Sequence, residues 1–321
     1  MRPPDIWLRE DRIARWAVAV LAPIGWIYGA SVAFKSRHAS PFRPSAKVIC
    51  VGNVTSGGSG KTPVAIAIAS ALVARGQSVS FLSRGYGGEV EGPRLVDATR
   101  DTARDVGDEP LLLAAIAPTI VARDRRKGAM LADAHQTQVI VMDDGHQNFT
   151  LVKDLSLVVV DAASGFGNGR VLPAGPLREP ASQALARADA VVLIGDGDPD
   201  LCGFTGPALR ARIAPAATDL KGRRVVAFAG IGRPAKFFDT LENLGVELAE
   251  CRAFADHHSY QSHEIAELKA LASTRDALLV TTEKDFVRLD AEQRTGIVTL
   301  PVSIAFDRPE ALGQLLDRIA Q

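Results

Sequence analysis

The stretch KVICVGNVTSGGSGKT, residues 47–62, decides the fold of this 321-residue chain. It opens with an apolar run typical of a buried strand, and the apolar helical pattern of Thr62–Arg75 follows it directly. Between strand and helix lies a glycine-rich turn of the Walker A type, in which backbone N–H groups and a helix N-terminus face phosphate oxygens. The stretch therefore predicts a nucleoside triphosphate site at the end of a buried parallel strand.

Two side chains at the end of this turn carry the expected phosphate chemistry. Lys61 would neutralise the β- and γ-phosphates, and the hydroxyl of Thr62 would bind Mg²⁺. The pattern G-x-x-x-x-G-K-[ST] has its first glycine at position 55, where this chain has threonine. We expect the phosphates to be bound by Thr55, Ser56, Gly57, Gly58, Ser59, Gly60, Lys61 and Thr62.

A second apolar run, VIVMDD at 139–144, ends in two aspartates and suits the Walker B strand that accompanies such a loop. Asp143 or Asp144 would hold Mg²⁺, directly or through water. Guanine recognition finds little support, because Lys284 in TTEKD is adjacent to Asp285, whereas the guanine-reading pattern separates its lysine and aspartate by one residue. We therefore predict ATP and Mg²⁺ as the cofactors.

The N-terminal segment differs from the rest of the chain. Nineteen residues without a charge, Trp16–Phe34, lie between Arg9, Arg12 and Arg15 on one side and Lys35 and Arg37 on the other. All three tryptophans fall within the first 26 residues, and basic flanks with tryptophan favour the headgroup layer of a membrane. A cleaved signal peptide is disfavoured because no cleavage-like motif clearly follows. A membrane-associated helix, preferably interfacial, and a helix packed on the protein's own core remain the alternatives.

Composition excludes several classes of protein. The chain is 47% hydrophobic and 23% charged, unlike a disordered or multi-span membrane protein. Its 37 basic and 37 acidic residues cancel, which argues against nucleic acid as a partner. Residues 1–60 nevertheless carry a net charge of +5. Cys50, Cys202 and Cys251 are far apart, which excludes a disulfide framework or a cysteine zinc site.

Beyond the phosphate loop, short apolar runs alternate with helical patterns, as in βαβ units. A Gly/Pro/Asp-rich stretch at 195–207 interrupts the alternation, and a second βα series follows. We predict an α/β protein with a P-loop NTPase-like, mostly parallel sheet, a second, smaller α/β lobe and an N-terminal membrane-associated helix. The expected divisions are residues 1–40 for that helix, 41–200 for the P-loop core and 201–321 for a C-terminal lobe that closes the cleft. The expected strands are Val48–Gly52, Val79–Ser83, Thr119–Ala122, Val139–Asp143, Leu155–Asp161, Val191–Ile194, Val225–Ala229, Leu278–Thr281 and Ile297–Leu300.

Several polar loops should meet at the carboxyl edge of the sheet, where open α/β sheets bind ligands. Asp108, in GDEP at 107–110, is a candidate base for the proton of an acceptor hydroxyl, with helix N-capping as its alternative role. His257 and His258, in DHHSY at 256–260, would orient or share that proton. A metal cluster of these histidines with His263 is disfavoured, because neither cysteine nor HExxH accompanies them.

In ordered combination, these motifs resemble the tetraacyldisaccharide 4′-kinases, the lipid A 4′-kinases of Gram-negative bacteria. The match runs from the N-terminal helix nearly to the C-terminus. It is carried by GNVTSGGSGKTP (52–63), LSRGYGG (82–88), VGDEP (106–110), DDGHQ (143–147), GNGRVLPAGPLREP (167–180), DHHSY (256–260) and TTEKDFVRL (281–289).

The resemblance implies a membrane-associated kinase on the cytoplasmic face of the bacterial inner membrane. It would transfer the γ-phosphate of ATP to the 4′-hydroxyl of a tetraacylated glucosamine disaccharide 1-phosphate, giving lipid IVA. Asp108 with His258, or with His257 as the rival, would form the base pair, and Glu179 would be a further metal-side carboxylate. His146 is an additional titratable group without an assigned role. The candidate substrate-binding residues are Arg84, Gln147, Arg170 and Arg178.

Two other classes of function remain alternatives. A membrane-associated regulatory ATPase would explain the P-loop and the basic N-terminus, but gives no task to Arg178, Glu179 or the histidine pair. A P-loop ligase for a soluble small molecule leaves the tryptophan-rich segment unexplained. Transfer of label from ATP to the lipid disaccharide distinguishes the kinase from both.

Overall fold

A computed structural model describes Trp7, residues 11–216 and residues 218–320. The remaining residues of the expected N-terminal segment, Arg9 among them, lie outside the described residues. The helices are α1 (Arg12–His38), α2 (Lys61–Val73), α3 (Ala103–Val106), α4 (Asp108–Ala114), α5 (Arg125–Ala134), α6 (Ala181–Leu185), α7 (Pro234–Asn243), α8 (Ser262–Thr274), α9 (Glu283–Phe286), α10 (Ala291–Arg294) and α11 (Pro309–Ala320). The strands are β1 (Lys47–Gly52), β2 (Val79–Ser83), β3 (Arg94–Leu95), β4 (Thr119–Val121), β5 (Val139–Asp143), β6 (Leu155–Asp161), β7 (Ala190–Ile194), β8 (Ala208–Pro215), β9 (Arg224–Ala229), β10 (Glu247–Ala253), β11 (Leu278–Thr282), β12 (Ile297–Leu300) and β13 (Val302–Phe306).

The larger sheet has nine strands in the order β13-β8-β7-β6-β1-β5-β2-β4-β3. Strand β1 lies at its centre and pairs in parallel with β5 on one side and β6 on the other. These strands are continuously apolar because helices cover both faces, and α2 packs Ile68 and Leu72 into the core with Ile49 and Leu157. The carboxyl ends of β1, β5 and β6 therefore meet at one edge, as the sequence predicts.

A smaller sheet of four parallel strands, β10-β9-β11-β12, forms the second lobe, with α7 and α8 contributing to its core. The α/β class, the mostly parallel P-loop sheet and the second lobe are thus confirmed.

The sequence suggested a lobe boundary at residue 200, but elements that follow this residue also belong to the large sheet. Strands β8 and β13 pair antiparallel with each other, and β8 extends the large sheet beyond β7. Helix α11 returns to the same sheet, where Leu315 and Leu316 join the core around α2. The expected C-terminal lobe therefore contributes both its first strand and its last strand and helix to the P-loop sheet, because these elements bury apolar side chains there.

Helix α1 packs on the large lobe through small residues. Its buried face carries Gly25 and Gly29, and a Cβ on Gly25 would lie 2.8 Å from the carbonyl oxygen of Val171. The indole N–H of Trp7 donates a 3.0 Å hydrogen bond to the carbonyl of Pro173 in the same loop. By length and composition α1 is sufficient to cross a membrane, and little of it is buried. Its opposite face is apolar and exposed, with Ile13, Trp16, Val20, Ile24, Ile27 and Phe34.

Candidate functional site

The phosphate loop joins β1 to α2 in a conformation that requires glycine. Gly60, the residue before α2, has φ +83°, and a Cβ there would lie 2.6 Å from Cδ1 of Ile194. Asn53 braces the loop from inside, because its side-chain amide donates to the Ser59 hydroxyl at 3.0 Å. The loop thus holds its backbone around the N-terminus of α2, the arrangement that receives phosphate groups.

Thr55 occupies the place of the usual first glycine in an extended segment. It forms an antiparallel bridge with Leu177, and the backbone N–H of Ser56 donates to Pro176 at 2.7 Å. The N–H of Arg178 in turn donates to the carbonyl of Val54 at 2.8 Å. Extended pairing needs no positive φ, so threonine is accommodated, and the pairing fixes the loop at 170–180 beside the phosphate loop.

At the end of β5, Asp143 faces the first turn of α2. The hydroxyl of Thr62 donates a 3.0 Å hydrogen bond to Oδ2 of Asp143, and the other oxygen, Oδ1, is buried without a hydrogen-bond partner among the residues that the structure describes. Burial, followed by the charge of Asp144, raises the pKa of Asp143 to about 7. A hydroxyl next to a carboxylate with an unsatisfied oxygen is a donor set suited to Mg²⁺.

The next residue, Asp144, lies between two cations. Its Oδ1 is 2.7 Å from Nη1 of Arg178 and 3.7 Å from Nζ of Lys61. Burial alone would raise the pKa of Asp144, but the charges of Lys61 and Arg178 outweigh it and the pKa is lowered. Burial and the charge of Arg178 lower the pKa of Lys61, whereas Asp144 opposes this shift. Asp144 has φ +51°, a strained conformation for a residue other than glycine and one that occurs often at functional sites.

Gln147 and Glu179 complete this side of the site. The amide of Gln147 donates to the carbonyl of Asn53 at 2.9 Å and to Oε1 of Glu179 at 3.0 Å. Arg187 donates to Oε2 of Glu179 at 2.6 Å. Both oxygens of Glu179 therefore accept hydrogen bonds, one from Gln147 and one from Arg187, and its role as a metal-side carboxylate stays a prediction.

His146 is a structural residue. It is fully buried, with one ring nitrogen 3.0 Å from the carbonyl of Ala184 and the other 3.3 Å from the Ser156 hydroxyl. Burial lowers the pKa of His146 to about 3, so the ring is neutral at physiological pH. Its Cβ would be 2.5 Å from a Cβ on Gly52, which explains why β1 ends in glycine.

Two candidate substrate residues lie apart from this network. Arg84 and Arg170 are exposed, and in the described part of the chain neither side chain forms a hydrogen bond or ion pair. Of the four candidates, the structure thus brings Gln147 and Arg178 together with the phosphate loop and leaves Arg84 and Arg170 facing solvent.

The candidate base meets the second lobe directly. Gly107, with φ +90°, turns the chain into α4, and a Cβ there would lie 2.5 Å from the carbonyl oxygen of Tyr86. Asp108 follows and is buried, and Nδ1–H of His257 donates to its Oδ2 at 2.8 Å. Burial alone would raise the pKa of Asp108, but the hydrogen bonds from His257 and Arg288 and the charge of Arg288 hold it below its usual range.

The preferred partner of Asp108 differs from the expectation. His258 lies 2.9 Å from Oε2 of Glu264 and stacks on Phe254, and both of these contacts lie within its own lobe. His257 has φ +57°, and this left-handed turn accompanies the placement of its ring on Asp108. The rival assignment, His257, is therefore the one that the geometry favours.

Sequence reasoning missed three charged residues around Asp108. Arg288 pairs with Asp108, and Lys284 lies 2.8 Å from Oε1 of Glu109 and 3.4 Å from Nε2 of His257. Asp108, Glu109 and His257 are close enough to share a metal ion. Lys284 and Arg288 already neutralise the two carboxylates, which disfavours a cation there. The motif TTEKDFVRL contained both cations, but nothing in the sequence indicated which residues they contact.

The comparisons with known proteins agree with one another. The family model for tetraacyldisaccharide-1-P 4′-kinase, LpxK, matches residues 17–321. A tetraacyldisaccharide 4′-kinase of Paramagnetospirillum magneticum is 51% identical, with 99% of each chain covered, and one of Dinoroseobacter shibae is 49% identical, covering 99% of this chain and 98% of the relative. A crystal structure of LpxK from Aquifex aeolicus in complex with ATP has a TM-score of 0.77 and 27% identity, covering 94% of this chain and 99% of that one.

Proposed function

The chain belongs to the tetraacyldisaccharide 4′-kinase family, and from this premise we propose which of its residues carry out the reaction. It is a phosphotransferase of lipid A biosynthesis that acts on the 4′-hydroxyl of an acylated disaccharide 1-phosphate, with ATP as the donor. Membership of this family does not favour a regulatory ATPase or a ligase for a soluble substrate. The observation that carries the assignment of roles is the contact of Thr62 with Asp143 beside Lys61.

The phosphate loop and the end of β5 form the proposed donor site. The backbone of residues 55–60 and the N-terminus of α2 receive the phosphate oxygens of ATP, and Lys61 balances the charge of the β- and γ-phosphates. Thr62 and Asp143 would hold Mg²⁺, because the buried Oδ1 of Asp143 accepts no hydrogen bond from any described residue. The ion would neutralise charge that develops on the transferred phosphoryl group. Asp144 keeps Lys61 and Arg178 in place through its ion pairs.

Asp108 and His257 form the proposed acceptor side. The described hydrogen bonds and ion pairs of the Asp108 carboxylate all go to Oδ2, so Oδ1 is the oxygen that takes the proton from the 4′-hydroxyl. The hydroxyl oxygen then bonds to the γ-phosphorus as the bond between that phosphorus and the bridging oxygen of ADP breaks. Because the transition state of phosphoryl transfer is loose, catalysis depends mainly on the alignment of the acceptor hydroxyl with the γ-phosphate. A weak base that stays ionised is then sufficient.

Gln147 and Arg178 are the proposed contacts to the acceptor sugar. Each is held by neighbours in the donor site, and both lie on loops at the carboxyl edge of the sheet.

The exposed stripe of α1 is the proposed membrane contact, on the cytoplasmic face of the bacterial inner membrane. Trp16 is 73% exposed and Ile27 is 72% exposed, on the face opposite Gly25 and Gly29. Because the glycine face packs on the loop at 171–180, the helix would lie between the protein and the lipid surface. This packing supports an interfacial helix over a spanning one, whose whole circumference would face lipid.

One assay tests the proposed donor site. Purified protein is incubated with γ-labelled ATP, Mg²⁺ and the lipid disaccharide 1-phosphate in detergent, and label in the lipid is measured by chromatography. Lys61→Ala should abolish transfer with the fold intact. Lys47→Ala removes an exposed lysine at the start of β1 and should leave transfer unchanged. A merely modest loss for Lys61→Ala would mean that the phosphate loop is misassigned.

A separate measurement tests the membrane contact. Co-sedimentation with anionic phospholipid vesicles should fall strongly for Ile27→Glu, which charges the exposed stripe. Ala30→Glu charges an exposed position that is not one of the large apolar residues of the stripe, and it should have a smaller effect. Equal effects of the two substitutions would contradict the assigned face.

A further inference from the structure

Arg288 of the second lobe reaches the candidate base of the first. Its Nε donates a 2.8 Å hydrogen bond to Oδ2 of Asp108, and Nη2 forms an ion pair of 2.7 Å with the same oxygen. The Arg288 side chain is only 4% exposed. Removing a guanidinium from water is costly unless ion pairs compensate it, and here Asp108 and Asp285 supply them from the two lobes.

The other end of the guanidinium is fixed by the core of the second lobe. Nη1 donates at 2.7 Å both to the carbonyl of Gly230 and to Oδ1 of Asp285. Asp285 is fully buried and also accepts hydrogen bonds from the Tyr260 hydroxyl at 2.9 Å and from the N–H of Gly230 at 3.0 Å. The second lobe therefore fixes the position of Arg288, and Arg288 in turn holds the Asp108 carboxylate.

The same peptide carbonyl connects Arg288 to the histidine. Gly230 accepts the N–H of His257 at 3.1 Å as well as the guanidinium. The two groups that contact Oδ2 of Asp108 are thus fixed relative to each other before they meet it. With Oδ2 held from two sides, the rotation of the carboxylate is restricted and the direction of Oδ1 is defined.

We propose that Arg288 is a positioning residue for phosphoryl transfer, which aligns the Asp108 carboxylate and makes that alignment depend on docking of the second lobe. This inference rests on the proposed role of Asp108 as the base. Arg288 itself does not contact the reacting atoms in this arrangement and acts only through Asp108.

The charges around Asp108 give the role a distinctive signature. Asp108 is faced by His257, Lys284 and Arg288, while Glu109, Asp256 and Asp285 are the carboxylates nearby. Arg288 supplies the shortest ion pair to Asp108. Without it, burial of the carboxylate is poorly compensated and the protonated form gains population. The acid limb of the kcat profile should then move to higher pH.

The test compares Arg288→Met with Arg288→Lys. Arg288→Met should lower kcat by roughly 100-fold while the KM for ATP changes by less than about threefold, since only alignment of the acceptor side is lost. The acid limb of the kcat–pH profile of Arg288→Met should move to higher pH by about one unit. Arg288→Lys retains a cation and should recover part of both effects. If Arg288→Met fails to fold, the pH profile of Arg288→Lys, shifted in the same direction, decides the matter.

Arg294→Met is the matched control. Arg294 is a half-buried arginine of the same lobe, and its side chain donates to the carbonyls of Phe286 and Val287. Arg294→Met should destabilise the second lobe without moving the acid limb of the kcat–pH profile. An equal loss of kcat with an unchanged pH profile in Arg288→Met and Arg294→Met would overturn the positioning role in favour of a structural one.

Asp108→Asn, measured alongside, separates this inference from the one on which it rests. If Asp108→Asn leaves kcat near the wild-type value, the proposed base is wrong. If Asp108→Asn is strongly impaired and Arg288→Met is not, only the role of Arg288 fails. When both hold, the double variant should be little worse than Asp108→Asn, because Arg288 acts through the lost carboxylate.

Discussion

The hydroxyl of Thr62 lies 3.0 Å from Oδ2 of Asp143, while Oδ1 of the same carboxylate is buried and has no hydrogen-bond partner in the described part of the chain. The first turn of α2 and the end of β5 thus present one hydroxyl and one unsatisfied carboxylate oxygen to the same space. Burial of Asp143 raises its pKa, and a buried carboxylate with little compensation destabilises the folded protein. A role in holding Mg²⁺ would explain why the residue is there.

Asp143→Asn should lower kcat on the order of 100-fold or more, because the amide replaces an anionic oxygen ligand. The Mg²⁺ concentration for half-maximal activity should also rise. A second readout is the Mg²⁺-dependent increase in Tm with a non-hydrolysable ATP analogue, which the variant should lose. Thr62→Ser retains the hydroxyl and should remain active, whereas Thr62→Val should resemble Asp143→Asn. Normal Mg²⁺ dependence of Asp143→Asn would exclude it as a ligand.

The histidine pair provides a sharper contrast, because the two residues are adjacent in the chain and differ in partner. His257→Gln removes the hydrogen bond to Asp108 and should lower kcat by roughly 10- to 100-fold. His258→Gln alters the contact with Glu264, which lies within the second lobe, so it should lower Tm and leave kcat within about threefold. Initial rates at saturating ATP and lipid, with thermal unfolding of each variant, distinguish them. The reverse ranking of the two kcat values would return the role to His258.

The central strands were predictable because they are buried on both faces. Val139–Asp143 and Leu155–Asp161 are continuous apolar runs in the sequence and have the same bounds in the structure. The strands that were missed lie at or near the edges of the sheets. Ala208–Pro215 alternates buried and exposed residues, and Glu247–Ala253 is partly to fully exposed, so neither shows a continuous apolar run.

The site divides in the same way. Lys61, Thr62 and Asp143 were predictable because a local motif and a strand end determine their positions. The contact between Arg288 and Asp108 joins residues 180 positions apart and depends on how the second lobe docks. The spacing of residues in the sequence therefore could not show that Arg288 contacts Asp108. It also could not show that His257, and not His258, lies on Asp108, since that placement accompanies a left-handed backbone conformation at His257.

The packing of α1 on the large lobe gives a further prediction. Gly25→Leu places a Cβ 2.8 Å from the carbonyl oxygen of Val171, and that atom is backbone, so the helix must move away from the loop at 171–180. The same loop pairs with Thr55 of the phosphate loop, and we expect kcat/KM for the lipid to fall by roughly 10-fold. Ala30→Leu, at an exposed position of the same helix, is the control and should be near wild type. Unchanged proteolysis of α1 in Gly25→Leu would show that this packing tolerates the side chain.

A second contact between the lobes predicts a pH-dependent stability. Asp161 at the end of β6 accepts from Lys236 at 2.7 Å and from Arg233 at 2.8 Å, both in or next to α7. Burial alone would raise the pKa of Asp161, but the hydrogen bond from Lys236 and the charge of Arg233 outweigh it and the pKa is lowered. A lowered folded-state pKa means that the stabilisation is fully present above the unfolded value, about 3.9, and is lost as the pH falls through the folded value.

Asp161→Asn should therefore lower the free energy of unfolding by about 1–3 kcal/mol at pH 7, and the difference from wild type should shrink as the pH falls below about 3.9. Urea unfolding of both proteins at a series of pH values measures this. Asp198→Asn is the matched control, because Asp198 pairs with Arg210 at 2.8 Å but its side chain is 90% exposed. Its effect should stay below about 0.5 kcal/mol at every pH, since exposed ion pairs contribute little. A pH-independent loss in Asp161→Asn would mean that its hydrogen bonds, and not its charge, hold the lobes together.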